Sequence, residues 1–204
     1  MKLYFMPFAC SLAARIAIEE SGLDAEFIRV MPGAPLPDGR DFKAVSPMGY
    51  VPALETPNGL VLTEGPAVLQ YIADNAEEGT LAPPAYSDER YRMQLWLNFV
   101  STEVHKSVFA VLFGRGSDEA EKAAARARVA RPFTVLSHHL DRRETLVDSY
   151  SVADAYLLAV LNWCEHAGIA LAEWPVLVAW RERQRARPAV ARAMAEEFPL
   201  LRAA

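Results

Sequence analysis

Cysteine is scarce in this chain. Cys10 and Cys164 are too few for a disulfide framework or a zinc ligand set, so no metal is expected and any thiol that matters acts as a thiol. No apolar run reaches the roughly 18 residues that a membrane-spanning helix needs, so no membrane partner is expected. Positive charge is not in excess either: 21 Lys and Arg stand against 26 Asp and Glu, for a formal net charge of −5. A protein that neutralises phosphates needs a basic surface, which argues against nucleic acid as a partner. The one basic run, "RERQRARP" from Arg181, alternates with apolar residues at helical spacing and reads as a solvated helix face. Internal repeats and long low-complexity tracts are missing, so neither a solenoid nor a disordered chain is in view. The opening "MKLYFMPFACS" reads as a strand and a turn instead of a secretory segment, and a cytoplasmic location is the expectation.

What is present is a 52% hydrophobic chain of 204 residues, enough for one large domain or two small ones. Residues 2–5 form a short apolar strand. Ser11 can cap a helix that carries Leu12, Ala13, Ile16 and Ala17 on one face and stops at Gly22. "EFIRVM" (26–31) reads as a second strand, and the following "PGAPLPDGRD" is a surface loop. "VPALET" and "LVLTE" flank Asn58-Gly59, a strong hairpin signal because both residues tolerate positive φ. A helix from Gly65 to Ala76 carries Val68, Leu69 and Ile72 at helical spacing.

The Gly79 and Pro83-Pro84 region then interrupts the pattern. The division expected is a first domain over 1–77, a linker over 78–87 and an all-helical second domain over 88–204. Helices are predicted near 88–113, 118–142, 151–167, 174–187 and 188–197, with Pro132 kinking or splitting the second. Ser151 and Asp154 form a capping box at the head of a buried helix. The fold class is α/β followed by all-α.

Four places carry chemistry. Cys10 stands where strand gives way to helix, and a thiolate there is favoured by helix-start amides and the positive end of the dipole; a small buried apolar role fits it equally well. Val51-Pro52 opens the third strand, where a cis bond would turn the Val51 amide and carbonyl outward to pair with an extended peptide. Glu64 and Gly65 stand at a strand-to-helix junction, where a carboxylate can grip an ammonium and free amides a carboxylate; Glu64 alone also fits a helix-start acid. Asn98, Thr102 and His105 fall on one face of the next helix.

"KLYFMPFACSLAARIAIEESG", "VSPMGYVPALETPNGLVLTEGPAVLQYIAD", "WLNFVSTEVHK" and "SVADAYLLAVLNW", in this order, resemble the bacterial beta-class cytosolic glutathione transferases over nearly the whole chain. The resemblance implies a thioredoxin-like N-terminal domain, a helical C-terminal domain, and a homodimer with active sites at the domain cleft near the subunit interface. It makes glutathione the co-substrate and gives Cys10 as the thiol that faces its sulfur, able to form a mixed disulfide with it. Val51, followed by Pro52, matches the backbone pair for the cysteinyl part, and Glu64 with Gly65 the pair for the γ-glutamyl end. Asn98, Thr102 and His105 match polar positions that the second domain presents, with Lys106 adding positive potential. Two departures stand out. Relatives often offer a lysine for the glycyl carboxylate where this chain has Pro35, with Arg40 and Lys43 as candidate substitutes; and Val147 stands where the family commonly has glycine.

The reaction this implies is attack of the glutathione thiolate on a small hydrophobic electrophile. The expected sulfur donors are the helix-start amides, the Ser11 hydroxyl and a protonated Cys10, with His105 and Lys106 in support. Phe109, Phe113, Tyr156 and Trp163 are candidate apolar walls, and each also suits core packing. One rival reading makes Cys10 the nucleophile of a monothiol reductase or dehalogenase, since "CSLA" has no second cysteine. Another is a protein that holds glutathione or hydrophobic ligands without turnover.

Overall fold

In the computed structural model, which describes residues 1–201, the first strand β1 (Lys2–Phe5) lies inside a sheet of order β2-β1-β3-β4. Its parallel neighbour β2 (Glu26–Arg29) is in register Leu3↔Phe27, and its antiparallel neighbour β3 (Ala53–Glu55) is in register Leu3↔Leu54. The hairpin strand β4 (Val61–Leu62) completes the sheet. All strands are shorter than the apolar runs that announced them, except β1. Pro52 has no N–H to give a ladder, so β3 begins after it. The hairpin turn is tied by Thr56, whose amide donates to Leu60 O (2.9 Å) and whose Oγ1 accepts the Leu60 amide (3.0 Å), with Gly59 at φ 83°.

Helix α1 (Ser11–Ser21) and helix α2 (Gly65–Asn75) pack together through buried Ala13, Ile16, Ala17, Val68, Leu69 and Ile72. Gly22 ends α1 as expected, in the left-handed conformation (φ 68°) with its amide on Ile18 O. The last helix, α9 (Pro188–Leu201), differs from expectation in length and in allegiance: residues 187–201 belong with residues 1–82, not with the second domain. Buried Ala189, Val190 and Ala193 are small enough to bring α9 close to α1. Arg187 clasps Glu20 of α1 (Nε–Oε1 2.7 Å, Nη2–Oε2 3.1 Å), and Arg192 Nε meets Glu19 at 3.3 Å. The connection between α2 and Asp88, residues 76–87, holds no helix or strand, and Leu81, Ala82 and Pro83 within it are buried.

The second unit, Pro83–Ala186, is helical. The long helix predicted over 88–113 is α3 (Asp88–Phe99), a π-helical stretch (Val100–Phe109) and the short α4 (Ala110–Leu112). Pro132 has the predicted effect: α5 (Glu119–Arg128) and α6 (Ala130–Leu140) are separate helices that meet at Val129. Helix α7 (Val152–Leu161) is buried along its whole length and starts at the expected capping box. The Asp154 carboxylate accepts the amides of Ser151 (2.9 Å) and Leu146 (2.8 Å) and the Ser151 hydroxyl (3.0 Å). Helix α8 (Pro175–Arg185) closes the unit. Among the described residues no helix is long and apolar enough to cross a membrane.

Candidate active site

The turn from Met6 to Cys10 carries the thiol out of β1 and into α1. Cys10 is the N-cap residue, half-buried, with φ −61° and ψ −18° and no side-chain capping bond. Its Sγ donates to the Val51 carbonyl at 3.1 Å, so the turn and the start of β3 meet at the thiol. The Val51–Pro52 bond is cis.

Ser11 departs from its expected role. Its hydroxyl donates to Met6 O (3.1 Å) and accepts the Met6 amide (3.2 Å), and the residue is fully buried, so its proton is spent on the turn and not offered to a ligand sulfur. The helix-start amides are also partly committed: Leu12 donates to Ala9 O (3.0 Å) and Ala13 to Cys10 O (3.1 Å).

Glu64 precedes α2 with φ 66° and ψ 117°, exposed, and its carboxylate makes no capping bond to the helix it heads. Its place at the head of α2 still sets it at the positive end of the helix dipole. Gly65 opens α2 beside it, followed by Pro66, which is pre-set for a first helical turn.

In the same unit, a cavity of about 550 Å³ lies beneath the proline loop, with Met6, Val30, Met31, Pro35, Asp41 and Lys43 in its wall. Met6 and Val51 pack on the apolar cluster to which Val30 and Phe42 of this wall also belong. Of the two cations weighed against Pro35, Arg40 is engaged by Asp38 (2.8 Å). Lys43 is the cation that lines the cavity, and its stem lies over Gly49, where a Cβ would stand 3.9 Å from Cε.

In the helical unit, His105 Nδ1 lies 2.7 Å from the Tyr156 hydroxyl, and its ring meets Trp163 edge-on at 5.0 Å. Burial, reinforced by the neighbouring Lys106 charge, pushes the imidazole down to about 4, so it is neutral at physiological pH. Trp163 also contacts Phe109 (5.4 Å) and Phe113 (5.9 Å). Of the four aromatic wall candidates, Phe109, Tyr156 and Trp163 are buried core residues, and Phe113 alone is open, at 49% exposure. Tyr156 is more than a wall, because its polar end is the His105 partner.

Asn98 and Thr102 are exposed, and Thr102 Oγ1 donates to Asn98 O (3.0 Å). The single-face argument for Asn98, Thr102 and His105 assumed one α-helical period. Thr102 and His105 fall instead in the π stretch, whose wider turn changes that period after Phe99.

Sequence reasoning missed Glu197, which reaches the Phe8 amide from α9 (2.9 Å), and missed the His105–Tyr156 pair. Neither has a local signal, since the partners are 189 and 51 residues apart.

Comparison with known proteins agrees along the whole length. Residues 6–75 match the family model described as glutathione S-transferase, N-terminal domain, and residues 93–188 match glutathione S-transferase, C-terminal domain. The chain is 37% identical to glutathione S-transferase GstA of Escherichia coli O157:H7, over 97% of this chain and 98% of that one. It is similar to the solved structure of a sphingomonad glutathione S-transferase complexed with glutathione (40% identity, TM-score 0.92, 97% and 98% covered). It is equally similar to the bacterial beta-class glutathione S-transferase of Sphingomonas chungbukensis (40% identity, TM-score 0.92, 97% and 99% covered).

Proposed function

The chain belongs to the bacterial beta-class glutathione S-transferases and is a glutathione transferase, and from this premise we propose that it joins the glutathione thiolate to small hydrophobic electrophiles. The observation that carries the reading is the Cys10 Sγ–Val51 O contact at 3.1 Å. It brings a thiol to the backbone groups that an extended cysteinyl peptide would pair with.

In this reading the Val51 amide and carbonyl hold the cysteinyl residue of glutathione, with Pro52 behind them. Glu64, whose carboxylate makes no capping bond to α2, takes the γ-glutamyl ammonium, and the Gly65 amide takes its carboxylate. Lys43 takes the glycyl carboxylate, since Arg40 is paired with Asp38 and position 35 is proline. The thiolate forms the new S–C bond with its own electron pair, and the pair displaced at carbon leaves with the halide of an aryl halide, stays on the ring oxygen of an epoxide or moves into the enolate of an enal. Cys10 acts as a neighbour that can donate to the thiolate, and Ser11 acts by holding the turn.

The helical unit serves the electrophile. Phe113 offers an open apolar face backed by Phe109 and Trp163, and His105, neutral and held by Tyr156, acts as a hydrogen-bonding group and not as a cation. Lys106 supplies the positive potential, and Asn98 and Thr102 the exposed polar contacts. The protein works as a cytoplasmic homodimer. Turnover of a panel of aryl halides, epoxides and enals with glutathione, run beside a disulfide-reduction assay, tests the reading. Conjugation of at least one electrophile class supports it, and disulfide reduction without any conjugation would replace it with the monothiol-reductase reading.

A further inference from the structure

Glu197 is completely buried on α9, at 0% exposure, and its carboxylate points at the turn that carries Cys10. Oε2 accepts the Phe8 amide at 2.9 Å; Oε1 stands 4.0 Å from Arg15 Nη1 and has no hydrogen-bond partner among the described residues. Phe8, two residues before Cys10, sits at φ 60°, a left-handed conformation that a bulky side chain adopts only when its surroundings impose it. Two contacts reach Phe8 from α9: the Glu197 carboxylate on the Phe8 amide, and the Phe198 ring 5.2 Å from the Phe8 ring. The other end of the turn is fixed by Ser11 on Met6. Arg15 stands over the Phe27 ring (4.2 Å) and the Phe5 ring (5.4 Å). Burying a carboxylate this fully is disfavoured unless its charge is compensated, and the groups that face this one are the Phe8 amide and the Arg15 guanidinium.

We propose that Glu197 is a positioning residue for the active-site thiol: through the Phe8 amide it holds the left-handed turn that sets the place of Cys10 and of the first turn of α1. The proposal deepens the transferase reading and rests on it for its kinetic arm.

The carboxylate also changes charge in a useful range. Burial, opposed by the Phe8 hydrogen bond and by Arg15, pushes it up to about 7. The charged groups around it are Arg15, Glu19 and Glu20 on α1, the last two paired with Arg192 of α9 and with Arg187 just before it. Arg29 on β2 is bound to Leu200 O (3.0 Å), and exposed Glu196 is the next residue on α9, 3.9 Å from Arg15. The ionised carboxylate accepts the Phe8 amide more strongly than the protonated one, so the turn is held more tightly above about pH 7 than below it.

The test uses the full-length protein. Hydrogen–deuterium exchange of the peptide spanning Phe8, corrected for intrinsic exchange, is expected to show protection that rises across about pH 7 in the wild type. A flat profile would overturn the proposal whether or not any variant folds. In Glu197→Gln, whose amide oxygen can still accept but carries no charge, kcat for conjugation is expected to fall about tenfold while KM for glutathione stays within about twofold. Adding Phe8→Gly, which adopts φ 60° without penalty, is expected to recover at least half of that loss. Unchanged kcat per folded molecule, a rise in KM that accounts for the loss, or no recovery with Phe8→Gly would each reduce Glu197 to a purely structural role. A wild type that conjugates nothing would instead remove the transferase reading, leaving the exchange profile as the measure of the turn.

Discussion

The Tyr156 hydroxyl and Nδ1 of His105 lie 2.7 Å apart, and the pair ties a residue read as a catalytic donor to one read as an apolar wall. Burial first, and then the Lys106 charge, push the imidazole down to about 4. A base whose folded value lies below its unfolded value of about 6.5 binds fewer protons folded than unfolded between the two values, so its contribution to stability is present above about 6.5 and is lost as pH falls through 4. The first prediction is that the His105 ring resonances titrate with a midpoint near 4. The pH–rate profile of conjugation between about pH 6 and 8 should keep its shape in His105→Gln, which cannot titrate. A profile whose acid limb disappears in that variant would assign His105 a proton-transfer role.

Glutathione affinity tests the other unit. Glu64 makes no capping bond to α2, so its carboxylate is available for the γ-glutamyl ammonium. Losing a charged hydrogen bond costs about 1.5–3 kcal/mol, so Glu64→Ala should bind glutathione roughly 10- to 100-fold more weakly. Cys10→Ala should weaken it less. Calorimetric titration of both variants decides the order, and equal retention of wild type and Glu64→Ala on immobilised glutathione would refute this contact.

Much of the fold was legible because its rules are local. Gly22, the Ser151–Asp154 box, the Asn58-Gly59 turn and the split at Pro132 each follow from the conformational chemistry of a few adjacent residues. Cys10 and Val51 could be singled out one at a time, and the resemblance joined them. What could not be read has partners distant in sequence. Glu197 looks like one acid among several near the chain's end until α9 turns out to lie on α1. Ser11 reads as a helix cap by type and position, yet its hydroxyl is drawn back to Met6 by the turn that Phe8 makes. The π stretch at Val100–Phe109 has no composition of its own, so a spacing argument built on 3.6 residues per turn carried past the point where the period changes.

Asp154 gives a stability prediction. Its buried carboxylate satisfies three donors, from Leu146 and Ser151, and truncation leaves them without an acceptor. Asp154→Ala should cost about 2–4 kcal/mol, seen as a lower urea midpoint with an unchanged slope. Burial, opposed by these hydrogen bonds, pushes the carboxyl up to about 6. For an acid with a raised folded value, the ionisation-linked contribution is full below its model value of 3.8 and is lost as pH rises through 6. The gap between wild type and variant should therefore be larger near pH 4 than near pH 7. A gap that widens with pH would mean that the ionised form is the favoured one.

The two cysteines separate the rival mechanisms. Cys164 is fully buried in the helical unit, and burial pushes its thiol up to about 12, so it offers almost no thiolate to any oxidant near neutral pH. Cys10 is half-buried, with its Sγ on the Val51 carbonyl, where a glutathione sulfur would arrive in the proposed binding mode. Oxidised glutathione should therefore add one tripeptide to Cys10, as a mass increase reversed by reductant, and leave Cys164 unmodified. In that exchange the Cys10 thiolate attacks one sulfur of the disulfide and the other half departs as the glutathione thiolate, so electrons balance without a further oxidant. Cys10→Ala should lose the adduct but retain conjugation, reduced by about one or two kcal/mol of transition-state stabilisation, because the attacking atom belongs to glutathione. If conjugation and adduct vanish together while glutathione affinity is preserved, Cys10 is itself the nucleophile, and the transferase chemistry assigned to the glutathione thiolate has to be rewritten through the protein's own sulfur.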